Sequence, residues 1–106
     1  METIVKIVRL SPETVRGYTA LSAAGAKTGH LDPKTRELIA LAVAVSLRCD
    51  GCITVHSAQA RQHGASKEEI AEALGVAVSV NAGAAIVYST RTLDAYDALP
   101  ETAAAA

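Results

Sequence analysis

The chain has no Trp and no Phe, and only three Tyr in 106 residues. Half of it is nonetheless apolar, mostly as Ala, Val, Leu and Ile. A core built without large rings needs elements that approach closely, and each element buries little area. Charge of either sign is also not in excess. Ten Lys and Arg stand against eleven Asp and Glu, and no basic stripe follows one face. That balance gives no electrostatic ground for binding nucleic acid. The N-terminus, METIVKIVRLSPE, scatters Glu2, Lys6 and Arg9 through its apolar residues, unlike a secretory signal. The longest apolar run, LIALAVAVSL from Leu38, is about half of a bilayer span. These absences predict a soluble cytoplasmic protein with no membrane and no nucleic-acid partner, in a compartment that keeps thiols reduced.

What is present is helical punctuation. Ser11-Pro12-Glu13 supplies a cap, a Pro for the first helical position and an early acid, and predicts a helix to about Ala24-Gly25. Asp32 and Pro33 open a second helix that runs to about Leu47. A third starts near Cys49 or Asp50 and stops at His63-Gly64. Ser66 with Glu69 three residues on is a capping box for a fourth. Asn81-Ala82-Gly83 breaks or bends that helix, and AAIVYSTRTLDAYDAL reads as a fifth. Only TIVKIV at the start has any claim to be a strand. The expectation is one all-α domain over residues 1–106, a compact antiparallel set of about five helices. Its core spans about 11–98 and its tail, 100–106, frays. The second helix after Glu37, and the stretch LGVAVSVNAGAAIVY, are apolar nearly all round. So short a chain cannot cover both, which predicts a homo-oligomer.

The two cysteines lie in one stretch, RCDGCITVH at 48–56. On a helix beginning near Cys49, the residues Cys49, Cys52 and His56 share one face. Free amides at the helix N-terminus favour a thiolate, and a neighbouring imidazole can take the thiol proton. Glu37 is the last charged residue before the second helix turns apolar, and it shares a face with Leu41 and Ala44. In an antiparallel hairpin turning near Arg48, Glu37 stands level with about Ala60. His56 is then about one turn away, within reach of a long side chain or a bridging water. A carboxylate on an apolar face suits a proton acceptor working near neutral pH.

The residues alone leave three readings open. One is a redox pair with two proton carriers. Another is a zinc site, which needs two further ligands from His56, His30, His63 or carboxylates and has no second C-x-x-C to draw on. The third is a pair of small core residues. Covalent haem attachment is excluded, because Ile53 rather than His follows Cys52. No βαβ pattern surrounds the pair, which argues against a thioredoxin fold. His30 and His63 fall at helix ends and receive no role, while Arg36 and Arg48 suit ion pairs.

The stretch LDPKTRELIALAVAVSLRCDGCITVHSAQARQHGASKEEIAEALGVAV resembles the carboxymuconolactone decarboxylase family in its alkylhydroperoxidase D-like branch. Glu37 with Leu-Ile-Ala-Leu-Ala-Val-Ala, then Cys49-x-x-Cys52-x-x-x-His56, carry the resemblance, followed by Gly64-Ala65-Ser66, Glu69-Ile70 and Glu72-Ala73. It covers about residues 31 to 90. It implies an all-helical fold assembled as trimers or hexamers, and thiol-dependent reduction of hydroperoxides with no cofactor and no metal. Carried over, Cys52 attacks the peroxide, Cys49 resolves the sulfenic acid, and Glu37 with His56 relays the proton. A thiol reductant is implied as partner, of the lipoyl-protein kind. The family's decarboxylases lack the C-x-x-C pair, so its presence here points away from lactone decarboxylation. In several family peroxidases an aromatic residue precedes the second cysteine, where this chain has Gly51. Two other functions compete: a decarboxylase-like enzyme using Glu37 and His56 alone, and a non-catalytic redox-sensing or binding module on the same scaffold.

Overall fold

All three prolines sit where a helix begins or has just ended. Pro12 and Pro33 are first residues of helices, where the missing N–H costs nothing, and Pro100 follows the last long helix. A computed structural model describes residues 2–101. In chain order the helices are α1 (Glu2–Leu10), α2 (Pro12–Thr28), α3 (Pro33–Leu47), α4 (Asp50–Gln62) and α5 (Lys67–Asp97). Among the described residues there is no strand. Over the described residues the fold is all-α with five helices, as the sequence predicts, but the five are not the same five. The end of the expected tail, 102–106, lies outside the described residues.

The segment TIVKIV is helical, not extended. Its apolar residues Ile4, Ile7 and Val8 recur at a spacing of three and four, whereas strict alternation would put Lys6 between Ile4 and Val8 on the same face. Helix α2 does not stop at Gly25. It runs on to Thr28 and ends with Gly29 in the left-handed conformation, φ +73°. Gly25 serves packing instead: a Cβ there would collide with the Arg36 guanidinium. Ser11 stands at the start of α2 without a side-chain capping bond, and its N–H continues the hydrogen bonding of α1 to the Ile7 carbonyl at 2.8 Å.

The expected fourth and fifth helices are one, α5, of 31 residues. Asn81 does not break it, because its amide is used across the fold. Asn81 Nδ2 donates to its own helix at the Ala77 carbonyl and to Ser46 Oγ on α3, each at 2.7 Å. A second cross-link joins the helix starts, where Lys34 Nζ meets Glu69 Oε2 at 2.7 Å. Both links carry the same sequence offset, 35 residues, so α3 and α5 run parallel in one register. Helix α4 returns antiparallel along α3, and α1 pairs with α2.

Helix α3 is thus the centre, packed by α4 on one side and the first half of α5 on the other. The fully buried side chains are few and small: Leu41, Ala44, Ala60 and Ala77. Past Asn81, α5 overruns the end of α3, and Ile86, Val87, Tyr88 and Leu93 are all about two-thirds or more exposed. The accessible surface is 8767 Å², against about 5,600 Å² for a folded monomer of this mass. The radius of gyration, 20.1 Å, compares with about 13 Å for a compact chain of this length. Because α5 is continuous, it is also long and apolar enough to cross a membrane, with an 18-residue window of mean hydropathy 1.8. A run reckoned only as far as Leu47 misses this.

The Lys34–Glu69 clasp sets a pH dependence. Lys34 beside it, together with the Ser66 backbone N–H, holds the Glu69 carboxyl below its usual range, and Glu69 raises Lys34 in turn. The unfolded chain takes up the Glu69 proton first. The contribution is therefore complete above the ordinary carboxylate pKa of about 4.3 and is lost as pH falls through the lower folded value. Thermal melting followed from pH 7 to pH 3 should fall less steeply in Lys34→Met than in the parent. Equal slopes would show that the clasp contributes nothing.

Candidate active site

The site is built by the ends of α3 and the beginning of α4. Asp32 caps α3 by accepting the Thr35 N–H at 2.7 Å, and Glu37 follows in the second turn. At the far end Arg48 adopts φ 56° and ψ 46°, and its N–H bonds back to the Ala44 and Val45 carbonyls. This left-handed residue ends α3 and reverses the chain, so that Cys49 arrives in extended conformation as the N-cap of α4. The Cys49 sulfur accepts the Cys52 N–H at 3.2 Å, in the place where a Ser or Asp oxygen usually sits. Cys49 and Cys52 are joined as a disulfide, with Cα atoms 5.3 Å apart, inside the range that a bridge requires. Both residues are half-buried.

One turn beyond Cys52, His56 Nδ1 lies 2.6 Å from Glu37 Oε2. The spacing argument places the two within reach of each other or of a shared water; the structure puts them in direct contact. Their side chains are 31% and 18% exposed, so the pair is partly withdrawn from water yet reachable from it. With Glu37 ionised, Nδ1 carries the proton and donates it, which leaves Nε2 a free lone pair. Each helix of the hairpin buries a small residue: Ala60 has no exposed surface and Ala44 very little. All four residues singled out in the sequence, Glu37, Cys49, Cys52 and His56, lie along this one hairpin. Among the described residues no group of three or more His, Cys, Asp or Glu side chains gathers in a way that could hold a metal ion.

Two residues given no role in the sequence reading belong to the surroundings of Glu37. His30, from the α2–α3 loop, and His63, capping the end of α4, line a cleft of ≈ 770 Å³ together with Arg36 and Glu37 itself. Arg36 reaches across to α2 over Gly25, and among the described residues it pairs with no carboxylate. No local motif announces this cleft, since it depends on where α2 lies.

The chain as a whole is similar to known proteins. The family model for the carboxymuconolactone decarboxylase family matches residues 12–95. An uncharacterised protein of Haemophilus influenzae is 54% identical over 85 residues, covering 80% of this chain and 75% of that one. Uncharacterised protein 4 in the cox locus of Paracoccus denitrificans is 41% identical over 80 residues, covering 76% and 72%. Among solved structures, a carboxymuconolactone decarboxylase family protein of Legionella pneumophila superimposes with a TM-score of 0.69 at 38% identity, covering 91% of this chain and 86% of its own. A Thermotoga maritima protein of the same family, described as a candidate for an antioxidative response, gives 0.59 at 38% identity, covering 76% and 84%.

The capping role of Cys49 has a measurable consequence. Under reducing conditions Cys49→Ala should lose stability of about 1 kcal/mol, whereas Cys49→Ser, which restores a strong capping oxygen, should lose little or gain. Urea unfolding with excess reductant separates the two. Equal loss in both variants would mean that the sulfur contributes nothing as a cap.

Proposed function

The chain belongs to the carboxymuconolactone decarboxylase family, and from that premise we propose that it is a thiol-dependent peroxidase of the alkylhydroperoxidase D-like kind. The reading rests above all on the 2.6 Å contact between Glu37 and His56, one helical turn from a pair of cysteines that are already bridged. Two thiols and two proton carriers on one hairpin are what a peroxide-reducing cycle needs. Neither lactone decarboxylation nor passive binding calls for the second cysteine.

The cycle runs as follows. His56 takes the Cys52 thiol proton, with Glu37 holding the ring through Nδ1. The Cys52 thiolate attacks the terminal peroxide oxygen, the O–O bond breaks, and the departing alkoxide takes the proton back from His56 to leave as alcohol. Cys52 is now a sulfenic acid. Cys49 gives its thiol proton to the relay and attacks the Cys52 sulfur, the S–O bond breaks, and the departing hydroxide takes that proton to leave as water, giving the disulfide. A dithiol reductant, of the lipoyl class, returns two electrons and two protons. The role of Cys49 fits its position. A sulfur that accepts an amide N–H at a helix N-terminus is stabilised as thiolate, which favours it as resolving nucleophile and as leaving group when the bridge is reopened. Cys52 has the closer base.

Glu37→Gln and His56→Gln should each slow the oxidation of Cys52 by hydroperoxide by about 10²–10⁴, the range for lost acid–base catalysis. Cys49→Ser should keep the first oxidation and strand Cys52 as a sulfenic acid. Stopped-flow oxidation with mass analysis reads all three. A parent whose two thiols survive one equivalent of hydroperoxide would sink the redox reading.

The working form we infer is a homo-oligomer in the cytoplasm, a trimer or a hexamer built from two trimers, serving defence against oxidative stress. The second half of α5 and the groove of ≈ 400 Å³ lined by Ile39, Val43, Leu47, Val76 and Val80 are apolar surfaces that this chain does not cover. Ser79, Asn81, Ser89 and Thr90 interrupt α5 in a way that suits protein cover better than lipid. Light scattering at micromolar concentration without detergent should give three or six times 10.9 kDa. A monomer mass, or a need for detergent, would refute the assembly.

A further inference from the structure

Two apolar surfaces of this chain match in length and lie apart from each other. The first is the channel between α3 and the first half of α5. Ile39, Val43 and Leu47 recur every fourth residue on α3, as Val76 and Val80 do on α5. The two helices run parallel in register, so these rows wall a channel of ≈ 400 Å³. All five side chains are exposed, and among the described residues nothing from α1, α2 or α4 lines the channel. Its two polar members, Ser46 and Asn81, are bonded to each other. From Ile39 to Leu47 is about 12 Å of helix rise.

The second surface is α1. Ile4, Ile7 and Val8 share one face with Val5 beside them, while Lys6 and Arg9 lie on the other. Those four apolar residues are exposed although α1 pairs with α2. Helix α2 itself buries no residue, and it meets α3 where the Arg36 guanidinium lies over Gly25. The first two helices thus form an arm whose end is α1. That end has 9 residues, about 14 Å of helix, which is close to the length of the channel.

The other uncovered segment, the second half of α5, fits the channel less well. Its bulky residues Ile86, Val87 and Tyr88 are consecutive, so they point in three directions and make no single ridge. Helix α1 has one. Charge adds to the match. Beyond Val76 the surface runs on to Glu69 and Glu72; Lys34 holds the first, and no cation among the described residues holds the second. Lys6 and Arg9 bring positive charge on stems long enough to reach that rim. The accessible surface exceeds that of a compact monomer of this mass by about 3,200 Å², on the scale that obligate interfaces bury. Within one copy the arm lies clear of the channel.

We propose that copies of this chain exchange arms: α1 of one copy lies in the α3–α5 channel of the next, with Ile4, Ile7 and Val8 against Val43, Val76 and Val80. This rests on the homo-oligomer inferred above and adds which surfaces build it. Each copy gives one arm and receives one, so the exchange closes a ring with no channel left empty.

A photoreactive p-benzoylphenylalanine in place of Ile7 tests this in the full chain. Light and isotopically heavy copies are unfolded and refolded together, irradiated and cut with trypsin. Cleavage after Arg36 and Arg48 releases residues 37–48, which carry the α3 wall of the channel. The expected product joins α1 to this peptide, with mixed-isotope links as frequent as unmixed ones. Links within single copies only would seat the arm in its own channel. Links confined to another α1, or to residues 82–97, would give the channel a different occupant. Each of these overturns the proposal. Two substitutions need no refolding. Ile7→Asp and Val43→Asp should each weaken association tenfold or more, read as a falling mass on dilution, with helix content by circular dichroism unchanged. Parent-like association in either variant also overturns it. A parent of several copies whose links fall elsewhere leaves the homo-oligomer standing and removes only the arm exchange. A parent of single-chain mass removes both, and neither result bears on the thiol chemistry.

Discussion

Everything at the site depends on how near α3 and α4 come to each other. Each helix buries small side chains, Ala44 on α3 and Ala60 on α4, the second with no exposed surface at all, and Leu41 of α3 is buried too. Small side chains at a crossing let backbones approach, and here the approach is what brings a glutamate on one helix to 2.6 Å from a histidine on the other. A bulkier pair would leave Glu37 and His56 to be joined by water, with the ring less firmly held. The shortage of aromatic residues, which at first limits the core, is therefore of use. A hairpin made from alanine and aliphatic residues closes tightly enough to fix two polar groups across it.

The same economy shapes the start of α4. Arg48 adopts a left-handed conformation that costs a non-glycine residue about 1 kcal/mol, and the cost is tolerable because its N–H closes the end of α3. The result is that Cys49 occupies a capping position and Cys52 the first turn, so the two sulfurs differ before any chemistry begins. One receives an amide hydrogen bond; the other is nearer the imidazole. Two identical side chains thereby stand in two different environments set by the geometry of one turn.

How much of this can be read from the residues varies with the reach of each signal. Capping chemistry is local, and Asp32 with Pro33 and Ser66 with Glu69 open their helices where the sequence puts them. Signals that have a tertiary use mislead. Asn81 reads as a breaker because it is judged alone, yet its amide bonds Ser46 on another helix. Gly25 reads as a stop because the guanidinium that needs the space is eleven residues further on. The four residues of the hairpin are legible, since three are fixed by helical spacing and the fourth by a hairpin register of about one turn. That Glu37 touches His56 directly is not legible, because it follows from how closely α3 and α4 approach, which no spacing rule gives. The cleft is beyond any spacing rule, because its far wall is α2.

Helix α5 joins the site to the surface that the chain leaves uncovered. Its first half holds α3 in register through Lys34–Glu69 at one end and Ser46–Asn81 at the other. Ser46 is two residues before Arg48, where the turn that positions Cys49 begins. Asn81 also lies within the exposed apolar surface of α5, which runs from Val76 and Val80 on to Ile86, Val87 and Leu93. A helix transmits position along its length, so whatever covers residues 82–97 bears on the same asparagine that holds the end of α3. The chain's two outstanding features, a poised pair of cysteines and a large apolar surface without a partner of its own, are thus tied at one residue. The site is organised within one copy, and the turn that sets it is anchored by the same helix that carries the uncovered surface.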